Sequence, residues 1–229
     1  MGVEENFIIL SGLLCEPTRA KMLWNLLDGR AYTATELSTA ADVSATSASN
    51  HLAKLLEAGL VKVEAQGRHR YYSFSKPGVA YVVESIAHLA GLDTPRKDEN
   101  KLPVKGVRYC RSCYDHLAGY VGVKVAEALE AKECIESDGT SYTVTAKGWE
   151  WLAGLDISRE SLEKSRRPLI RPCLDWSERR PHLAGQLGAL LLEKMLAKNY
   201  FKRVRFSREL IVTMKGRQEL YERLGVVVS

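Results

Sequence analysis

The residues best equipped for chemistry lie in the second half of the chain: Cys110, Cys113, His116, Cys173 and His182. Cys110 and Cys113 form a CxxC with Asp115 and His116 just beyond it, and Cys173 is followed by Asp175 and then His182. Thiolates combined with imidazoles suit zinc or a soft thiophilic ion. A CxxC is also a common layout for a redox-sensing thiol pair. The competing expectation is ordinary packing, because cysteine is among the most buried residue types. Cys134 and Cys15 are expected to be such core thiols. Cys113 and His116, spaced i, i+3 on one expected helix, have the types of a nucleophile and its base. No oxyanion loop, phosphate loop or acid pair accompanies them, so catalysis is not expected.

The elements that must hold these residues repeat. HLAGYVGVKVAEALEAKECIE from His116 aligns with HLAGQLGALLLEKMLAKNYFK from His182, with 8 identities in 21 positions, and YTVTAKGWEWL from Tyr142 aligns with LIVTMKGRQEL from Leu210, adding 5 more. Each copy reads as helix, hairpin, then helix. Val107-Arg108-Tyr109-Cys110 precedes one HLAG and Ile170-Arg171-Pro172-Cys173 the other. Cys110 and Cys173 are therefore expected in equivalent places, close together across a seam between the copies. Such a seam is also where a small organic ligand would bind, and Tyr109, Tyr114, Tyr120, Trp149, Trp151 and Trp176 supply aromatic surface nearby, though aromatics at this spacing are usually core.

The first half has a different logic. Pro17 to Leu27 is amphipathic through Ala20, Leu23, Trp24 and Leu27, and Thr35 is expected to cap a short helix ending at Ala41. Ser44 is an N-cap candidate for a longer helix whose apolar side is Val43, Ala48, Leu52, Leu55 and Leu56 and which Gly59 ends. Its other side carries Thr46, Ser47, Ser49, Asn50, His51 and Lys54, small or polar groups able to meet phosphates and base edges. Leu60 to Val63 and Tyr71 to Phe74 read as a hairpin turning at Gln66-Gly67, with Arg68, His69 and Arg70 at its tip, suited to phosphate or minor-groove contact. Helix, short helix, longer helix and hairpin in this order is a winged helix-turn-helix. Even the residues after the hairpin, Ser75-Lys76-Pro77-Gly78, echo Thr145-Ala146-Lys147-Gly148 and Thr213-Met214-Lys215-Gly216.

The run from Cys15, with its EPTR opening, TELSTAADVS, ASNHLAKLLEAGLV and QGRHRYY, resembles the ArsR/SmtB family of winged-helix repressors over roughly Phe7 to Leu92. The resemblance implies a homodimer that reads short inverted repeats in operator DNA and leaves when an inducer or metal binds. It also implies that the helix from Val79 to Leu92, apolar through Val82, Val83, Ile86, Leu89 and Ala90, pairs the two protomers. Arsenic-sensing members carry paired cysteines on the first helix of the motif, where this chain has Thr35 to Ala40. Zinc-sensing members place acidic and histidine ligands on the dimer helix, where only Glu84 and His88 stand. Those metal sites are expected to be absent and sensing to have moved to the second half.

Composition agrees. The chain has 229 residues, enough for two cores. It lacks an 18-residue apolar run and an N-terminal export signal, so a cytoplasmic protein with no membrane partner is expected. An odd count of 5 cysteines argues for thiols or metal ligands over a disulfide framework. The net charge of +5 is uneven: residues 44–76 carry 5 Lys/Arg against 2 Asp/Glu, while 165–229 carry 14 against 6, the latter read as a solvated face.

The expected fold is mostly α with small β-hairpins (α+β). It comprises a winged helix-turn-helix with dimer helix over 1–92, a polar linker over 93–106, and a duplicated, winged-helix-like sensor domain over 107–229, with copies at 107–160 and 168–229. The expected function is an operator-binding repressor released by an effector sensed in that domain. The alternative is a metal- or thiol-redox-sensing variant using Cys110, Cys113 and Cys173, with zinc the candidate ion.

Overall fold

A computed structural model of the chain describes residues 2–92, 105–162 and 167–228. The chain divides into two compact units, Met1–Ala87 and His88–Ser229. Most of the expected linker, 93–104, lies outside the described residues.

In the first unit, α1 (Val3–Cys15) leads into α2 (Pro17–Leu26), whose start is fixed by Pro17 at its first position and by Glu16, which accepts from the Thr18 and Arg19 amides at 3.0 and 2.8 Å. α2 buries Met22, Leu23 and Leu26, and its C-cap Leu27 is buried too, but Trp24, expected on that face, is exposed. β1 (Tyr32–Thr33) is followed by α3 (Ala34–Ala41). The cap of α3 is Thr33, two residues before the one expected, because Thr33 and Glu36 form a reciprocal capping box. Asp42, in a left-handed conformation, closes α3, and Ser44 opens α4 (Ala45–Glu57) by accepting from the Ser47 amide. Ala48, Leu52 and Leu55 are buried, as their i, i+4, i+7 spacing requires. Antiparallel strands β2 (Val61–Gln66) and β3 (His69–Phe74) pair from Val61↔Phe74 to Gln66↔His69, so the two-residue turn is Gly67-Arg68. β1 adds to the outer edge of β3 through Tyr32↔Tyr72. α5 (Pro77–Leu92) follows, burying Val79, Ala80, Val83 and Ala87.

The second unit contains two runs with the same element order. The first is β4 (Arg111–Cys113), β5 (His116–Ala118), α6 (Gly119–Ala131), β6 (Ile135–Ser137), β7 (Tyr142–Val144) and α7 (Ala146–Ala153). The second is β8 (Arg171–Leu174), β9 (Pro181–Ala184), α8 (Gly185–Ala197), β10 (Phe201–Arg203), β11 (Leu210–Val212) and α9 (Met214–Leu224). Each run thus opens with a hairpin ahead of the expected helix–hairpin–helix, and each strand pair is an antiparallel two-stranded sheet. The runs are interlocked: β5 packs on α8, β9 on α6, and α6 also meets α9. One core unites them, including Leu117, Val121, Leu129, Leu183, Leu191 and Leu220.

A local device recurs three times. A left-handed residue follows the long helix, Gly59, Glu133 or Asn199. A hydroxyl after the next hairpin, from Ser75, Thr145 or Thr213, donates to its carbonyl at 2.5, 2.7 and 2.7 Å. In the second unit the same threonines cap the following helix by accepting from the Gly148 and Gly216 amides, both at 2.9 Å. A Cβ on Gly148 would lie 1.9 Å from the Cys134 carbonyl oxygen and one on Gly216 2.1 Å from that of Tyr200. Only glycine admits so close an approach of helix to chain.

Candidate functional site

Two sets of residues have functional geometry. The first is the outward side of α4 and the hairpin beside it. Ser44, Thr46, Ser49, Asn50 and Lys54 are exposed, as are Arg68, His69 and Arg70 at the hairpin tip; Ser47 is half-buried. The Ser49 hydroxyl donates to the Ala45 carbonyl at 2.9 Å, leaving its lone pairs for an incoming donor. His51 differs from its neighbours: it turns towards the α1–α2 junction, with Nδ1 3.3 Å from Glu16 and 3.5 Å from the Arg19 guanidinium. Arg19 in turn donates to the Gly12 and Leu13 carbonyls. His51 therefore ties α4 to α1 and α2. Burial works against the Glu16 carboxylate, yet the amides of Arg19 and Thr18 hold its pKa below the usual range.

The second set is a buried Cys/His cluster in the second unit. Cys113 on β4 faces His116 on β5, and Cys173 on β8 faces His182 on β9, as cross-strand partners in the two hairpins. One ligand atom from each of the four lies within 4.8 Å of the others; it is such a group among the described residues. The two sulfurs are 4.0 Å apart and are not disulfide-bonded, and the imidazole centroids are separated by 5.1 Å. His116 Nδ1 lies 3.1 Å from Asp115, which receives a bidentate pair from Arg167 at 2.6 and 2.9 Å. His182 Nδ1 lies 3.2 Å from Asp175, which is paired with Arg111 at 2.8 Å. The Nε2 atoms of both histidines, and Nδ1 of His182, are buried without a hydrogen-bond partner.

These contacts shift the ionisation of His116, Cys173 and Asp175. Burial opposes the His116 imidazolium, but Asp115 and Cys173 outweigh it and raise the pKa to about 9. Cys113, then His116 and His182, hold the Cys173 thiol far below the ordinary thiol range despite its burial. Asp175 is likewise depressed, because His182 and Arg111 overcome the cost of burial.

The cluster corrects several expectations. Cys113, not Cys110, is the counterpart of Cys173: the register sets Arg111 against Ala118 and Arg171 against Ala184, so each cysteine sits two residues further along its strand. Cys110 belongs to the apolar core, where burial drives its thiol pKa up. Cys113 and His116 face each other across a tight hairpin and do not share a helix. Cys134 is buried as expected, but Cys15 is exposed at the end of α1. The seam between the runs holds an apolar space of about 20 Å³ bounded by Leu129, Trp151, Leu187 and Leu191, little more than a water needs, and a more open cavity of about 360 Å³ is lined by Leu162, Arg167, Gln186 and Glu193. No helix among the described residues is long and apolar enough to cross a membrane.

Comparison with known proteins places the first set in context. Residues 14–64 match a family model described as a helix-turn-helix domain. Reduced HlyU from Vibrio cholerae is 27% identical and aligns over 38% of this chain and 90% of that one, with a TM-score of 0.35. The homodimeric winged helix-turn-helix DNA-binding domain of Mb0332 from Mycobacterium bovis is 24% identical over 38% of this chain and 81% of that one, TM-score 0.36. Over the whole length, the chain is 38% identical to the uncharacterized HTH-type transcriptional regulator YdfF of Bacillus subtilis, spanning 97% of this chain and 99% of that protein. With its helix-turn-helix and wing in place, the chain belongs to the same family of DNA-binding, HTH-type transcriptional regulators as YdfF.

Proposed function

We propose that the chain is a repressor that binds an inverted-repeat operator as a homodimer, and that its second unit receives the signal that releases it. The observation that carries the DNA-binding geometry is the continuous exposed row of Thr46, Asn50 and Lys54 on α4 with Arg68, His69 and Arg70 on the wing. In this reading the α4 side chains meet base edges in the major groove while the wing arginines hold the flanking backbone.

The dimer reading is supported by apolar surface that the single chain leaves uncovered. Val82, Ile86 and Leu89, spaced i, i+4, i+7 on α5, are 47–63% exposed, and Phe7, Ile8 and Ile9 on α1 are also exposed. Apolar stripes of this kind mark interaction sites.

The second unit reads as two copies of one winged-helix-like plan. Support comes from the matched element order, the matched threonine caps and the matched close approaches at Gly148 and Gly216. The reading assigns no catalytic step to it. Footprinting tests the proposal: a compact palindromic footprint supports it, and extended sequence-independent coverage would mean an architectural DNA-binding protein instead. A turnover found in the second unit would overturn the non-catalytic assignment.

A further inference from the structure

We propose that Cys113, His116, Cys173 and His182 form a closed tetrahedral site for a divalent ion of the zinc class, which staples the β4–β5 hairpin to the β8–β9 hairpin.

The donor set, two sulfurs and two imidazoles, is that of structural zinc sites. The geometry suits it. Zinc–sulfur bonds of about 2.3 Å at a tetrahedral centre set two sulfurs about 3.8 Å apart, against 4.0 Å here. His116 Nδ1 is hydrogen-bonded to Asp115 at 3.1 Å, and His182 Nδ1 lies 3.2 Å from Asp175 as an ion-pair contact outside hydrogen-bond geometry. That leaves Nε2 as the donor, and both Nε2 atoms are buried with no hydrogen-bond partner. A buried imidazole nitrogen without a partner is costly unless something binds it. A carboxylate behind each ligating imidazole fixes its tautomer and orientation, a feature of built metal sites. The carboxylates are themselves anchored, Asp115 by Arg167 and Asp175 by Arg111.

The chain topology points the same way. Each hairpin contributes one cysteine and one histidine in direct cross-strand register, so neither run holds more than half the site. Four protein donors leave no position for a substrate, which assigns the ion a structural role. The four residues belong to the second unit and α4 and the wing to the first, and the ion site does not rest on how the chain binds DNA.

The test uses the full chain without a histidine tag, purified under reductant. Plasma mass spectrometry is expected to find about one zinc per chain. Cys113→Ser and Cys173→Ser should each lose the ion, while Cys15→Ser and Cys134→Ser keep it. Asp115→Asn should retain the stoichiometry but weaken zinc affinity about 10- to 100-fold. Because the serine variants can fail to fold, metal-stripped wild-type protein is also titrated with Co²⁺. Thiolate-to-metal charge-transfer absorption that saturates at one equivalent supports the site. Metal-free protein whose reduced form binds no Co²⁺ overturns it, as does zinc retained when Cys113 and Cys173 are both replaced. Operator binding on the same samples separates the two readings: metal-free protein that binds DNA fails the ion site alone, and zinc-loaded protein that ignores DNA fails the repressor alone.

Discussion

Arg111 and Asp175, both inaccessible to solvent, are joined by a 2.8 Å ion pair that connects the first hairpin of one run to the first hairpin of the next, 64 residues later. Asp175 also accepts from the Gly119 amide at 2.7 Å and from the amides of Ser177 and Glu178. The Arg111 guanidinium lies 4.5 Å from the Trp176 ring centroid. A charge so enclosed depends on its partner. Asp175→Asn should therefore destabilise the second unit by about 3–5 kcal/mol, seen as a lower urea midpoint. Arg111→Met with Asp175→Leu should recover only part of that loss: no uncompensated charge remains, but the Gly119, Ser177 and Glu178 amides lose their acceptor.

At the wing, Arg68→Ala with Arg70→Ala should weaken operator binding for every sequence tested. The dependence of log affinity on log salt should fall by about 2 in slope. Fluorescence anisotropy across a salt series measures both; an unchanged slope would remove the wing from the interface.

On α4 the expected signature differs. Asn50→Ala should cost about 1–3 kcal/mol on the preferred operator and little on unrelated DNA. Competition binding with a library of single-base operator variants would reveal relaxed preference at one position in each half-site. Equal losses on all sequences would make Asn50 a backbone contact.

Ile86→Glu on α5 should split the dimer by placing a carboxylate within an apolar contact. Sedimentation velocity is expected to show monomer. Affinity for a two-half-site operator should fall by about 100-fold or more through lost avidity, with binding to an isolated half-site retained. A dimer that persists would move the interface elsewhere.

Gly148→Ala and Gly216→Ala should each destabilise the chain by about 1–3 kcal/mol or more, because the added methyl meets a carbonyl oxygen at 1.9 or 2.1 Å. Similar losses in thermal melts would agree with the two positions being equivalent. A large loss at one and none at the other would count against the shared plan.

Much of the first unit was legible because its signals are local. Ser44, the apolar positions of α4, Gly59 and the wing strands each obey short-range rules of capping, period and turn chemistry. β1 was not legible, since two residues become a strand only when β3 lies beside them. The Thr33 cap is hidden for a related reason: Thr35 is equally apt in sequence, and only the closing of Glu36 back on Thr33 decides between them. In the second unit the recurring HLAG and TxKG segments point to two runs of matched element order, but the two opening hairpins leave no sequence signal because strands of three or four residues carry almost no period. The pairing of Cys110 with Cys173 followed from the similarity of VRYC and IRPC. The better guide was RSCYD beside RPCLD, an Arg-x-Cys-x-Asp pattern that aligns Cys113 with Cys173 and Asp115 with Asp175. It was obscured because the second hairpin places six more residues between its cysteine and histidine. Buried orphan nitrogens and crossed ion pairs arise only in three dimensions.

The interlocking of the two runs bears on how the molecule is made. β5 rests on α8 and β9 on α6, and the Ser112 amide donates to the carbonyl of Arg208 while the Leu210 amide donates to that of Cys110. A nascent chain leaving the ribosome thus emerges with its first run short of partners until the last hairpin has been synthesised. Contacts of such long sequence separation slow folding, and the apolar faces of β5 and α6 wait exposed meanwhile. The second unit can close its core only once that hairpin has been made, after the DNA-reading unit has already had every residue of its own.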